Sequence, residues 1–189
     1  MEKNFMIDLE TLSTEDNAVV LSIGFVKFDI MNGEVLDKTH VLLSLAEQKH
    51  RHIEASTVSW WIRQLDTNPT NVSIVLGTQD DMRCGVYEAL ELINNKIADE
   101  RQHPDDVFNF WCKDPDFDVR ILSNLFEDFG IPSPIRYYQG RSVRTMEMLA
   151  KRMGVYEKPI TTHNAEQDCI DQIKIVSAVY QKIANQFQE

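Results

Sequence analysis

The stretch Phe5-Met6-Ile7-Asp8-Leu9-Glu10-Thr11-Leu12 decides how the rest of the chain is understood. Apolar residues surround two carboxylates spaced two apart. In a β-strand, residues i and i+2 point to the same face, so Asp8 and Glu10 project together from one side. Two like charges held that close are unfavourable unless a cation sits between them. Standing alone, the pattern is also that of a strand end whose acids simply face water. The surrounding chain has to decide between the two.

Outward from that strand, Ala18 to Ile30 is a long apolar-rich run, closed by the turn signal Met31-Asn32-Gly33. Val35 to Leu45 follows with β-branched residues, so a three-stranded meander opens the chain. Glu54 to Leu65 changes period: Val58, Trp61, Ile62 and Leu65 lie three or four apart, as on one helix face. Trp60 and Trp61 there are core packing or, alternatively, a stacking surface for a base, with Trp61 the candidate contact. Residues 66–79 carry Asn, Thr and Pro punctuation and predict no clear element. A helix is expected over Asp80 to Gln102, with Asp80 and Asp81 suiting its dipole. Further on, Val107 to Trp111 predicts a strand, Pro115 opens a helix stopped by Gly130, and Ile135 to Tyr138 predicts a short strand. Val143 to Met153 predicts a helix ended by Gly154, and Asn164 to Phe187 the closing helix. The order β-β-β-α-α-β-α-β-α-α implies an α/β fold: a mixed sheet, antiparallel at one side and parallel at the other, flanked by helices. A ribonuclease H-like sheet fits this order.

A length of 189 residues suffices for a real core, and with no repeat, low-complexity tract or linker the expectation is a single domain over 1–189. A hydrophobic share of 43% beside 26% charged residues is that of a soluble globular protein. No apolar run approaches the ~20 residues of a membrane helix. Met1-Glu2-Lys3-Asn4 leads straight into a strand, without signal-peptide architecture. Cys84, Cys112 and Cys169 share no metal-ligand spacing and are expected to be reduced thiols, so a cytoplasmic protein is expected. A net charge of −11 argues against broad adhesion to nucleic acid or anionic membrane, yet acids that hold metal ions add to that count. Local basic groups at Lys49 to His52, and at Arg141, Arg144, Lys151 and Arg152, are candidates for guiding phosphates or are scattered solvated charge.

Three distant stretches bear chemistry: Asp8-Leu9-Glu10-Thr11, Trp111 to Asp118, and His163 to Asp168. In the second, a strand ends at Trp111 and Asp118 falls in the first turn of the next helix. Ligands of open α/β sheets gather at such junctions. Asp114 and Asp116 compete with Asp118, and spacing favours Asp118 only slightly. In the third, Asn164 is an N-cap and Gln167 completes a capping-box pattern. That places Asp168 on the helix and His163 in the loop before it.

These stretches resemble, in order, the three motifs of DEDDh-type 3′→5′ exonucleases of the ribonuclease H-like superfamily. Asp8-x-Glu10-Thr11 resembles the first, Phe117-Asp118 after a Trp-ended strand the second, and His163-x4-Asp168 the third. Ser56-Thr57-Val58-Ser59-Trp60-Trp61 and Arg141 to Thr145 resemble further segments of small phage-type exonucleases and 3′→5′ exoribonuclease-like bacterial proteins. Many members carry small residues before the Phe-Asp pair. Cys112-Lys113-Asp114-Pro115-Asp116 is more acidic and stiffer, which bears on substrate entry.

The resemblance implies a catalytic set of Asp8, Glu10, Asp118, His163 and Asp168. Two Mg²⁺ ions, with Mn²⁺ as the alternative, prefer hard oxygens at about 2.0–2.1 Å. Two such ions about 3.5–4 Å apart activate water, stabilise charge on a phosphate and assist the leaving oxygen. Asp8 is then the natural bridge, Glu10 and Asp168 complete one site, and Asp118 supports the second. His163, with an ordinary pKa of about 6.5, is the general base. The resemblance further implies that Thr11 and Leu12 border the 3′-terminal nucleotide, with Leu12 or Phe117 packing on a base. The implied partners are 3′ ends of single-stranded DNA or RNA, DNA being favoured by the phage-type likeness. A homodimer is an open alternative. Competing readings are an exoribonuclease, an inactive exonuclease fold that only binds nucleic acid, and a plain α/β domain with surface acids.

Overall fold

The computed structural model describes residues 1–186. The opening meander is β1 (Glu2–Thr11), β2 (Val20–Phe28) and β3 (Val35–Leu42). Three helices follow, α1 (Ala55–Gln64), α2 (Pro69–Gly77) and α3 (Val86–Asp99), then β4 (Val107–Cys112), α4 (Asp118–Asp128), β5 (Gly140–Ser142), α5 (Val143–Met153) and α6 (Ala165–Gln186). The expected end of the last helix at Phe187 lies outside the described residues. The sheet runs β3-β2-β1-β4-β5. β1, β2 and β3 pair antiparallel, while β4 is parallel to β1 and β5 to β4. The mixed sheet is therefore as the element order implied.

β1 is the centre of this sheet, and its alternation divides the core. Phe5, Ile7 and Leu9 pack with Leu90 and Ile93 of α3 and with Ile121 and Leu122 of α4. Met6 faces the other way, packing with Trp111 and with Cys169, Ile173 and Val176 of α6. Asp8 and Glu10 continue the Met6 row, so period two delivers both acids to the α6 side. Opposite Asp8 in the β1–β2 register stands Gly24. A Cβ there would lie 2.3 Å from the Ala165 carbonyl oxygen and 2.8 Å from the Glu166 nitrogen. The missing side chain lets the first turn of α6 lie directly on the sheet beside Asp8.

Four local expectations need correction. The segment 66–79 contains α2, whose Val72 and Val75 pack with Leu21 and Trp61. The helix expected over Asp80 to Gln102 is broken: Asp80 accepts hydrogen bonds from the Ser44 hydroxyl and the Leu45 and Ala46 N–H groups. It thereby serves a neighbouring turn, and α3 starts only after Gly85. Ile135 to Tyr138 is no strand; β5 falls two residues later, where Phe110 to Cys112 of β4 offer pairing. Arg51, a candidate phosphate guide or solvated charge, is neither but structural. Its guanidinium is buried and bound to the Ala18 carbonyl, Asn124 and Asp128. α5 spans Val143–Met153 as expected, and Gly154 ends it at φ +70°, a left-handed conformation glycine adopts without strain. Among the described residues, no helix is long and apolar enough to cross a membrane.

Candidate active site

The three stretches meet at one cavity of about 580 Å³, whose wall includes Asp8, Glu10, Asp118, His163 and Asp168 together with Trp60 and Phe117. Three of the carboxylates are positioned by hydrogen bonds from the chain. Asp118 is the first residue of α4 and 3% exposed; its Oδ1 accepts from the Leu9 N–H at 3.2 Å, tying α4 to β1. Asp168 accepts from the Thr162 N–H and hydroxyl, each at 3.0 Å, and from the His163 N–H at 3.2 Å. The N-cap of α6 is Asn164, whose Oδ1 accepts from the Gln167 N–H at 3.0 Å. The reciprocal arm of the capping box is absent, because Gln167 reaches forward to Asp171. Asp8 accepts from the Gln172 amide at 2.7 Å. Among the described residues, no lysine or arginine pairs with any of the four acids. The nearby Lys113 and Arg144 pair instead with Glu147 and Asp114.

Uncompensated negative charge shows in the proton affinities. Burial, and then the charges of Asp118, Glu10 and Asp168, push the Asp8 carboxyl well above its ordinary range. Burial, and then Asp168 and Asp118, push Glu10 up to about 8. Burial raises Asp118 to about 7 despite backbone N–H groups that favour its charged form. A set of hard oxygen donors, buried at Glu10 and Asp118 and half-buried at Asp8 and Asp168, that repel one another fits a divalent cation. A carboxylate oxygen of Glu10, a ring nitrogen of His163 and a carboxylate oxygen of Asp168 lie within 4.8 Å of one another.

His163 is held differently from the acids. Its φ is +55°, in the left-handed region that histidine visits sparingly. Its Nε2 lies 3.2 Å from Gln64 Oε1 at the end of α1. Trp60 and Trp61 both meet its ring edge-on, at centroid distances of 5.0 and 5.6 Å. The loop before it is clamped from α2: Asn71 donates to the Thr162 carbonyl, and Asn68, just before that helix, to the Thr161 carbonyl. Burial lowers the His163 pKa against the charge of Asp168, favouring the neutral ring.

The substrate-contact expectations divide. A second cavity, adjoining the first through Leu9, Glu10, Trp60 and Phe117, also includes Thr11, Ser56 and Arg63. Thr11, Phe117 and Trp61 line it. Leu12 does not; it packs with Leu21 under α1 and α2, and Leu9 takes the place at the wall. Trp61 is 1% exposed and donates its indole N–H to the Thr11 carbonyl, so it offers no ring face to a base. Trp60, at 37%, is the exposed indole. Asp114 lines the first cavity beside Arg144, whereas Asp116 faces another cleft between α4 and Tyr137. The acidic segment is thereby tied to α5 and partly turned away from the site. Gly24, Gln64 and Gln172 escaped the sequence reading. An isolated glycine within a strand was a usable signal for the first; the two glutamines stand in no pattern that marks them.

The solved structures speak to the class. Over 93% of its length the chain matches the nuclease domain of 3′hExo, a DEDDh family member bound to rAMP, with TM-score 0.60, 9% identity and 90% of that domain covered. It matches cell-death related nuclease 4 (CRN-4) over 97% of its own length with TM-score 0.61 and 16% identity, spanning 64% of that chain. These likenesses, at 16% and 9% identity, define the fold of the chain, and the acids and histidine of its cavity are the set that the resemblance implied. The sequence then narrows the class: the chain belongs to the 3′-5′ exoribonuclease Rv2179c-like domain family, whose model matches residues 3–180. It is also similar to the exodeoxyribonuclease of Enterobacteria phage T4, 26% identical over 166 residues, covering 75% of this chain and 69% of that protein.

Proposed function

We propose that this chain, acting as one domain in the cytoplasm, removes nucleotides from the 3′ end of single-stranded nucleic acid, with DNA the preferred substrate. Its cofactors are two divalent cations, Mg²⁺ or Mn²⁺, held by Asp8, Glu10, Asp118 and Asp168. The observation that carries this reading is the convergence of four carboxylates, from three distant segments, on one cavity where, among the described residues, no protein cation is paired to them. When bound there, the ions supply Lewis acidity to the scissile phosphate and compensate the developing charge.

The residues of the chain do the rest. The backbone N–H of Leu9 fixes Asp118, and the Thr162 and His163 N–H groups fix Asp168, so both arrive preorganised. His163 is the general base. Burial keeps its ring neutral near pH 7, ready to accept a proton from the attacking water. In the tautomer whose Nε2–H donates to Gln64 Oε1, the free acceptor of the neutral ring is Nδ1. Thr11, Phe117 and the exposed face of Trp60 border the terminal nucleoside, where aromatic stacking tolerates any base.

DNA preference rests on the likeness to the phage exodeoxyribonuclease. The second reading, an exoribonuclease, is favoured by the description of the family itself. Matched 5′-labelled DNA and RNA single strands, digested with Mg²⁺ under single-turnover conditions, separate them. A ladder shortening from the 3′ end, faster on DNA, is expected. Faster RNA decay replaces DNA by RNA in the proposal, and no ladder on either removes the activity. Sedimentation of the same preparation tests the homodimer.

A further inference from the structure

We infer that Gln172 is a positioning residue of the cation site, fixing the Asp8 carboxylate for its ligand role; this rests on the cation-site reading above. Gln172 lies on α6 four residues beyond Asp168, so the two side chains share one helix face. It is 6% exposed, and its Nε2 donates to Asp8 Oδ1 at 2.7 Å. It also lines a small cavity of about 170 Å³ shared with Asp8, Asp168 and Lys113.

Two observations separate this contact from ordinary packing. First, among the described residues the buried Gln172 Oε1 has no hydrogen-bond partner. Burying an amide with an orphaned oxygen destabilises a fold, whereas a leucine or methionine of similar volume fills the same space without that penalty. Stability alone does not account for a glutamine here. Second, Asp8 depends on it. Asp118 and Asp168 are oriented by backbone N–H groups, but among the described residues Gln172 is the hydrogen-bond donor to Asp8. A neutral amide suits the task, since it holds one carboxylate oxygen without competing for the cation as a lysine would.

Mn²⁺ titration by calorimetry, without nucleic acid, tests this on the wild type, Gln172→Leu and Gln172→Met. Groups that orient metal ligands typically carry a 10–100-fold effect on affinity, so Kd should rise by roughly that factor in both variants. Their metal-free unfolding temperatures should equal or exceed that of the wild type. Mn²⁺ affinity within about twofold of wild type in a folded variant overturns the inference. So does failure of both variants to fold, which would make Gln172 a structural residue. Absence of saturable binding to the wild type overturns the cation site itself, and the inference with it.

Discussion

The Asp8–Glu10 strand and the His163 loop contribute to one cavity but are held by opposite means. β1 is the middle of the sheet, paired on both edges and packed on both faces, so its two acids inherit their positions from the core. His163 sits in a left-handed backbone conformation outside any element, held by Gln64, Asn68, Asn71 and the flanking tryptophans. Charge-bearing groups that must stay close despite repulsion are built into the most rigid part of the fold. The histidine proposed to handle the proton stands on a loop pinned by polar contacts.

That contrast predicts a ranking. Asp118→Ala, which deletes the carboxylate anchoring α4 to β1, should reduce cleavage of a labelled single strand to background; degradation that persists with added Mg²⁺ breaks the account of the acids. His163→Ala should lower the rate ~10²–10⁴-fold while Mn²⁺ affinity measured by calorimetry largely survives. Near wild-type turnover at neutral pH would remove the base from its role. Gly24→Ala sits between the two regions, because its new Cβ meets the start of α6. Overpacking of this kind costs about 1–3 kcal/mol in unfolding free energy. Displacing Asp168 by about 1 Å should also lower kcat by on the order of 10². An unchanged melting curve would show that α6 can retreat freely. Gln64→Leu should have the smallest effect, a kcat decrease on the order of 10-fold with KM and unfolding temperature unchanged. Nitrogen shifts of the His163 ring, measured by NMR, should then move from a single tautomer to a mixture.

Much of this was legible in the chain, for identifiable reasons. The strand alternation of β1 and the 3.6-residue period of α5 and α6 are local signals, and the three motifs lie where such signals end. Helix α2 was hidden because its stability comes from Val72 and Val75 docking on Leu21 and Trp61, a tertiary effect that outweighs its Asn and Thr punctuation. The fifth strand was misplaced because Ile131 and Ile135 plug the core as loop residues, while pairing falls on Gly140-Arg141-Ser142. Hydrophobicity marks burial there, and hydrogen bonding marks the strand. Spacing placed Trp61 on the apolar stripe and Trp60 beside it, but not which ring is open to a ligand; burial of Trp61 and its indole bond to the Thr11 carbonyl decide that.

The central claim is that Asp8, Glu10, Asp118 and Asp168 form a repelling cluster that a divalent cation relieves, and thermal unfolding across pH tests it without reference to turnover. The folded state raises the proton affinity of Asp8, carries Glu10 to about 8 and carries Asp118 to about 7. Between the ordinary carboxylate value of about 4 and pH 8, the folded chain therefore binds more protons than the unfolded chain at these positions. Their contribution to metal-free stability is fully present at the acid end and is lost as pH rises through about 7 and 8. In chelator, the unfolding temperature of the wild type should fall between pH 5 and pH 8 more steeply than that of Glu10→Gln. Added Mg²⁺ should restore it at pH 8 and do little at pH 5. Equal slopes for the two proteins, or the same Mg²⁺ gain at both pH values, would contradict the account.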